Sequence, residues 1–455
     1  MIRKFLSKVF SRRGGGAQGR LKIIPFEQHA VAHNRVSGCA LRVTSTLQSK
    51  GHAAFIVGGA VRDLALGLEP KDYDVATDAT PEQVRALFRR SRIIGRRFRL
   101  VHVMCGPETV EVSTFRGRAG GAGEDEGDAV QDEHGRILRD NVFGSQQEDA
   151  VRRDFTINAM FYNPATQEIW DYLGGYADLK ARRLRAIGDP VERYREDPVR
   201  MLRAVRLSSK LGLELEPHTR APIAKMADLV QNVPAARVFD EMMKLLFSGH
   251  ARECVLRLRR EGLHHGLLPM LDVILEQPMG ERFVMLALEN TDQRVREDQP
   301  VSPGFLFAAL LWHEVLAALK AWEAKGMKPF PALAHAMDDV LSVQEKKLAI
   351  PRRYDAVMRE IWTLQPRLEN RSGRRPYTLI EQPRFRAGYD FLLLRCQSGE
   401  QPMELAQWWE RFQEAGPDER SAMLLPGGPG PGKRRRRRRR RSGGGAQAAA
   451  APDGQ

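Results

Sequence analysis

The chain of 455 residues has room for about three domains of ordinary size, and 42% of it is hydrophobic, yet no apolar run reaches the roughly 20 residues of a bilayer-spanning helix. Its formal charge is +15, of which Lys433 and the eight arginines Arg434–Arg441 supply +9, so phosphate-rich partners are favoured, nucleic acid ahead of an anionic membrane. The four cysteines (Cys39, Cys105, Cys254, Cys396) lie far apart without a CxxC pair, which argues for a reducing compartment and against structural zinc.

Residues 1–24 open with "MIRKFLSKVFSRR", in which Ile2, Phe5, Leu6, Val9 and Phe10 recur at helical spacing among five basic residues and no acid. Such a helix suits an anionic membrane surface, and equally an organellar transit peptide or a frayed end. From about Leu41 to Met160 the pattern is mixed: a helix, a strand at Ala53–Val57, a glycine turn, a short helix, and "DYDVAT" (Asp72–Thr77) alternating as a strand. "TPEQVRALF" carries a threonine cap with proline just inside, the mark of a helix start. "RLVHVM" and "TVEVSTFR" form a hairpin across "CGPE", and Gly117–Gly135 reads as a solvated acidic loop, without the spacing of a calcium loop. Beyond Ile187 helical periodicity takes over, giving an all-helical region from about Pro190 to Gly416. The last segment, 417–455, is Pro/Gly linker, arginine block and small-residue tail, with too little apolar surface to fold. The expected class is therefore α+β.

The chemistry concentrates in "VGGAVRDLALGLEPKDYD" (Val57–Asp74). Asp72 and Asp74, two apart on a strand, would project from one face and could hold a pair of Mg²⁺ ions, which prefer oxygen ligands. Gly58 and Gly59 lack a Cβ, so their backbone N–H groups can approach a triphosphate closely. Glu111, on a neighbouring strand, is a further candidate metal ligand. Either half alone is weak, since a lone DxD or GG is usually a turn; the two together within one short stretch are specific. A Rossmann site is excluded by the missing GxGxxG and βαβ repeat.

With "EVSTFR" (Glu111–Arg116), "RRDFTINAMFY" (Arg152–Tyr162) and "REDPVRMLRAVRLSSKLG" (Arg195–Gly212) following in order, the chain resembles the class II nucleotidyltransferases of the polymerase β superfamily, the bacterial poly(A) polymerases and CCA-adding enzymes. The resemblance spans about 25–413. It implies a small nucleotidyltransferase palm (head, 25–187), a helical neck (188–250) and a helical body (251–416). It also implies that Asp72 and Asp74 bind metal, Mg²⁺ with Mn²⁺ as a substitute, and that Asp154 is the third acid. Gly58, Gly59, Arg62 and Asp63 match the nucleotide-binding turn, and Arg152 and Arg153 match residues near sugar and phosphates. "EDPVR" matches the element that reads the base: Asp197 would accept from an exocyclic amine and Arg200 would donate to a ring nitrogen. Adenine and cytosine both fit that pair, guanine and uracil do not. The same acids also suit the positive end of a helix N-terminus, and the two readings can hold together.

Outside these motifs the chain leans towards the poly(A) polymerases, in "IIPFEQHAV", in "RRSRIIGRRFRLVHVMCGPETVEVSTFRG", in "FRAGYDFLLLR" and in the arginine tail, which can grip any RNA by counterion release. Arg96, Arg97 and Arg99 add a basic cluster. The expected reaction is template-independent addition of AMP from ATP to RNA 3′ ends, by a cytoplasmic monomer serving RNA decay. CCA addition, and an inactive RNA-binding adaptor, are the alternatives. His264–His265 has no acidic partner at helical spacing and reads as a helix end. Trp408–Trp409 is expected to straddle core and surface rather than to stack on bases.

Overall fold

The computed structural model of the chain describes residues 20–95, 99–117, 129–131, 137–140, 142–263, 278–347 and 350–426. The amphipathic N-terminal stretch, Arg96 and Arg97, most of the acidic loop, His264–His265 and the arginine tail lie outside the described residues. The chain divides into two compact units, 1–359 and 360–455.

The first unit is built on an eight-stranded mixed sheet. Its strands are β1 (Lys22–Ile24), β2 (Ala54–Val57), β3 (Asp74–Thr77), β4 (Ser91–Ile94), β5 (Leu100–Cys105), β6 (Glu108–Thr114), β9 (Met160–Asn163) and β10 (Glu168–Asp171), in the order β1-β10-β9-β2-β3-β6-β5-β4. A separate hairpin pairs β7 (Ala129–Gln131), inside the stretch read from sequence as an acidic loop, with β8 (Ile137–Asp140), just beyond it. All four residues of β2 are buried, as its run of apolar residues requires of a central strand. It pairs antiparallel with β3, the last pair being Val57↔Asp74, and β3 pairs parallel with β6, placing Asp74 opposite Glu111.

Strand β3 starts at Asp74, not at Asp72 as the alternation suggests. Gly58 leaves the ladder with φ 72°, so β2 offers no partner beyond Val57, and Asp72 lies exposed before the strand. Tyr73 between them is buried, its hydroxyl donating to the Arg35 carbonyl.

Helix α1 (Gly38–Ser49) is capped by Ser37, and α2 (Gly59–Ala65) springs directly from the glycine turn. Reciprocal Thr80–Gln83 and Ser145–Glu148 caps start α3 (Pro81–Leu87) and α4 (Gln146–Arg152). Helix α5 (Gly175–Lys180) is held by the buried Asp171 carboxylate, which accepts from the N–H groups of Leu173, Gly174, Gly175 and Tyr176 at 2.8–3.0 Å. This helix braces the turn that carries Arg153 and Asp154: Thr156 Oγ1 donates to Asp178 at 2.7 Å, and a Cβ on Gly175 would sit 2.1 Å from the Thr156 carbonyl oxygen. Asp171→Ala strands four donors, and is expected to lower stability by about 3 kcal/mol in urea unfolding.

Among the described residues helices dominate from here on, beside a two-residue parallel pairing of Arg183–Leu184 with Glu214–Leu215. Helix α6 (Pro190–Glu196) ends at Asp197, α7 (Val199–Leu211) ends at Gly212 with φ 61°, and α8 (Ala235–Leu246) and α9 (Ala251–Arg260) pack beside α7. Later come α10 (Pro278–Arg296), α11 (Pro303–Ala324) and α12 (Pro329–Lys347). By length and composition α11 could cross a bilayer, contrary to the sequence reading; here Leu306 to Trp312 are all buried in the fold.

In the second unit, Leu364, Leu368, Phe385, Tyr389, Leu392, Trp409 and Phe412 share one core. Trp409 is fully buried and donates to the Leu368 carbonyl, whereas half-buried Trp408 stacks on Phe412, so the pair straddles core and surface.

The cysteine reading needs correction. Cys39, at the start of α1, and Cys105, at the end of β5, are joined by a disulfide with their Cα atoms 5.8 Å apart. Their sequence separation of 66 conceals this contact, which only the packing of α1 against the β5–β6 hairpin creates. Cys254 and Cys396 are free and buried.

Candidate active site

A cavity of about 530 Å³ opens where β2 ends and β3 begins, beside Glu111 and Ser113 of β6, and the helical segment from α6 to α8 faces it. Gly58 and Gly59 form its floor. A Cβ on Gly58 would lie 3.3 Å from Arg153 Nη1 and 3.6 Å from Asp74 Oδ2, and φ 72° with ψ −134° is backbone that L-residues avoid. The turn thus brings bare backbone within contact of both a carboxylate and a guanidinium.

Asp74 and Glu111 both line the cavity; Asp72 does not. Burial, then the Glu111 charge, pushes the Asp74 carboxyl up to about 6, with Asp72 adding to the push and Arg153 opposing it. Glu111 is steadied by His102 Nε2 at 3.1 Å. Crowded carboxylates beside a phosphate-sized turn suit a hard divalent cation. Among the described residues no three His, Cys, Asp or Glu side chains form a ready-made metal shell.

Arg62 and Asp63 are buried and satisfy one another, Nε to Oδ1 at 2.8 Å and Nη2 to Oδ1 at 2.7 Å, while Arg62 Nη1 donates to Asn158 at 2.7 Å. Asp63 does not line the cavity, so the pair braces the glycine turn, with only Arg62 facing the site. Arg153 is held by Asp149 at 2.9 Å and lies over the Phe161 ring at 5.3 Å. Arg152 donates to the Gly117 carbonyl. Burial, with Arg116 and Arg193 nearby, lowers its pKa to about 10, which marks a cationic cluster poised for anions.

Asp154 lines the cavity among other partners than the metal-type acids. It accepts from its neighbour Phe155 N–H at 2.8 Å and Asn158 Nδ2 at 3.0 Å, and Arg203 Nη1 lies 3.6 Å away. Burial acts to raise its pKa, but Arg203 and these donors prevail and hold it below the usual carboxylate range. The acids that push the Asp74 carboxyl up are Glu111 and Asp72.

Asp197, at the end of α6, pairs with Arg237 of α8; Arg200, in the first turn of α7, donates to the Arg193 carbonyl at 2.7 Å and to Glu196 at 2.9 Å. Arg193 in turn donates to the carbonyls of Arg152 and Arg153, both at 2.6 Å, and so ties α6 to the arginine turn of the sheet domain.

The structure therefore gathers Gly58, Gly59, Arg62, Asp74, Glu111, Arg152, Arg153, Asp154, Asp197 and Arg200 around one cavity, and leaves Asp72 and Asp63 at its margin. Asn158, Asp149, Arg203 and Arg237 line it too and were not singled out from sequence. Arg203 was legible in principle, three residues after Arg200 on one helix. Arg237 gave no signal, being 40 residues from its partner.

Three families match successive parts of the chain: "Poly A polymerase head domain" over 54–185, "Probable RNA and SrmB- binding site of polymerase A" over 212–275, and "Polymerase A arginine-rich C-terminus" over 325–442. Poly(A) polymerase I of Salmonella typhimurium is 45% identical over 434 residues, 93% of each chain. The Haemophilus influenzae protein of the same name is 43% identical, over 88% of this chain and 90% of its own. The CCA-adding enzyme of Bacillus subtilis is 39% identical but over only 50% of this chain and 55% of its own. Among solved structures, the Bacillus stearothermophilus CCA-adding enzyme in complex with CTP superposes with a TM-score of 0.54 at 26% identity, covering 82% of both chains.

Proposed function

The chain belongs to the poly(A) polymerase family, and from that membership we propose that it adds AMP from ATP to RNA 3′ ends without a template, at the cavity between Gly58 and Arg200. The observation that carries this reading is 45% identity to poly(A) polymerase I along 93% of the chain, whereas likeness to the CCA-adding enzyme of Bacillus subtilis extends over half of it.

The reaction joins the RNA 3′-hydroxyl oxygen to the α-phosphorus of ATP and releases pyrophosphate. The N–H groups of the Gly58–Gly59 turn approach the triphosphate, with Arg152 and Arg153 supplying charge for its oxygens. Asp74, with Glu111 across the strands and Asp72 at the rim, would hold the divalent metal. A pair of Mg²⁺ ions there would lower the pKa of the attacking hydroxyl and neutralise the leaving pyrophosphate, with Mn²⁺ accepting the same oxygen donors. We assign the third metal-facing carboxylate to Glu111; Asp154 instead anchors Arg203 beneath the nucleotide. Arg62 and Asp63 keep the glycine turn rigid. Asp197 and Arg200 read the amine and ring nitrogen of the base.

The wider setting is inferred from chemistry. A single-stranded A tract is an open landing site for RNA-decay proteins, which we take as partners of a monomeric enzyme. Its substrate, cellular RNA, is the ground for inferring the cytoplasm. Residues 1–13 would add an anionic membrane surface as a peripheral contact.

The test offers the purified full-length chain each nucleoside triphosphate with Mg²⁺, on a generic RNA and on a tRNA lacking its terminal CCA. ATP alone should extend the generic RNA into a long ladder. Deleting Lys433–Arg441 should weaken RNA binding and flatten its salt dependence, because nine charges no longer displace counterions, while turnover on saturating RNA survives. Products that stop at CCA on the tRNA, with no ladder on generic RNA, assign the CCA reaction instead; no incorporation on either leaves an RNA-binding adaptor.

A further inference from the structure

Three polar side chains stand in a row across the sheet. Asp74 of β3 is opposite Glu111 of β6 in parallel register, and Glu111 is opposite His102 of β5 in antiparallel register. Two residues along the same hairpin, Leu100 is opposite Ser113, and both of these line the cavity. Residues two apart on a strand share a face, so His102 belongs to the cavity side of the sheet, one strand beyond the two carboxylates.

The two carboxylates are held in different ways. Asp74 is half-buried beside the Gly58 turn, on a short side chain. Glu111 has one more rotatable bond and a side chain 52% exposed, so packing alone leaves it several rotamers. Among the described residues one group holds its carboxylate: His102 Nε2, at 3.1 Å from Oε1. An ionised carboxylate can only accept, so the nitrogen that faces it carries a proton and donates. Glu111 Oε2 is left for another partner. The imidazole is the stiffer member of the pair, since only 23% of it is exposed and its strand is paired on both sides, with β4 and β6.

His102 does not itself line the cavity. Among the described residues it completes no three-ligand metal shell with Asp74 and Glu111. Its route to the chemistry therefore runs through the Glu111 carboxylate.

We propose that His102 is a positioning residue that sets the affinity for divalent metal: its Nε2–H fixes the Glu111 carboxylate at the cavity beside Asp74, so that both oxygen donors are in place before the ion arrives. The proposal rests on the reading of Asp74 and Glu111 as metal-facing carboxylates given above. Outer-sphere donors of this kind act by orienting a ligand that would otherwise have to be ordered at the expense of binding.

The experiment uses the full-length wild type, His102→Ala, His102→Gln and Glu111→Gln. Mn²⁺ binding, without nucleotide or RNA, is read from loss of the free-ion electron paramagnetic resonance signal. AMP addition to a generic RNA is then titrated with Mg²⁺. Glu111→Gln is expected to weaken Mn²⁺ binding most. His102→Ala should weaken it by about tenfold and raise half-saturating Mg²⁺ by a similar factor, its rate deficit shrinking as Mg²⁺ is raised. His102→Gln, whose amide can present an N–H near the place of Nε2, should recover most of the affinity. A merely structural residue would lower the rate equally at every Mg²⁺ concentration and leave Mn²⁺ binding unaltered. Mn²⁺ binding by His102→Ala within about twofold of wild type overturns the proposal, as does His102→Gln binding as weakly as His102→Ala. Should His102→Ala not fold, His102→Leu carries the same comparison, and loss of the fold in both assigns His102 to stability and likewise overturns it. If Glu111→Gln binds Mn²⁺ as the wild type does, the metal assignment of Glu111 fails and takes the proposal with it. If Mn²⁺ binding follows the expected order but no AMP is added, the adenylyltransferase reading fails and the placing of His102 stands.

Discussion

Asp74→Ala should reduce AMP addition by about a thousandfold or more while leaving RNA affinity within about twofold of wild type. Asp74 starts the central strand β3, pairs with Glu111 across the sheet and lines the cavity beside the Gly58 turn, a position no other carboxylate shares. Asp72→Ala should act in the same direction, as the second member of the pair. Denaturing gels read the product ladder and filter binding reads the RNA; near-normal ladders from Asp74→Ala would remove the metal assignment. A second readout needs no turnover. Because the folded-state pKa of Asp74 is raised to about 6, its ionisation opposes folding above that pH, and the penalty fades as pH falls from 6 towards the ordinary value of 3.8. Without divalent metal at pH 7.5, Asp74→Ala should therefore melt at a higher temperature than wild type. Added Mg²⁺ should stabilise the wild type and not the variant.

Gly58→Ala should lower kcat/KM for ATP by about 100-fold. Two costs combine. The backbone at φ 72° and ψ −134° belongs to a region where an L-residue is strained by about 1–3 kcal/mol. The new methyl would also stand 3.3 Å from Arg153 Nη1 and 3.6 Å from Asp74 Oδ2, inside the space the phosphates need. Relaxing the strain would turn the first N–H groups of α2 away from the cavity. Steady-state kinetics in ATP, with a melting curve to confirm the fold, decides the matter: unchanged KM and kcat would mean that the turn carries no phosphate. Gly67→Ala is the control, since Gly67 has φ 77° but open space where the methyl would go. It shares the backbone strain and should leave KM unaltered.

Much of this protein is determined locally, and that part was legible in the residues. An apolar β2 running into two glycines is a strand entering a tight turn, and the acids that follow within one short stretch mark it for phosphate. Thr80 with Gln83 starts a helix by its own hydrogen bonds, and the helical periodicities after Ile187 each mark one buried face. The ordered motifs placed Gly58, Asp74, Arg153, Asp197 and Arg200 in one cavity before any coordinates did. Interactions between distant segments leave no such mark. That Asp74 faces Glu111 depends on a parallel β3–β6 register, and that Asp72 precedes the strand depends on where β2 stops. The Cys39–Cys105 bond, the isolation of Asp154 on Arg203, and the Arg237 grip on Asp197 all join residues whose sequence separations, from 40 to 66, exceed any local period. Periodicity reports which face of an element is buried, and capping reports where it begins; neither reports what the face is buried against. The residue types alone therefore determine a nucleotidyltransferase with Asp197 and Arg200 at its cavity, while the packing of α8 against the α6–α7 junction decides how Asp197 is held.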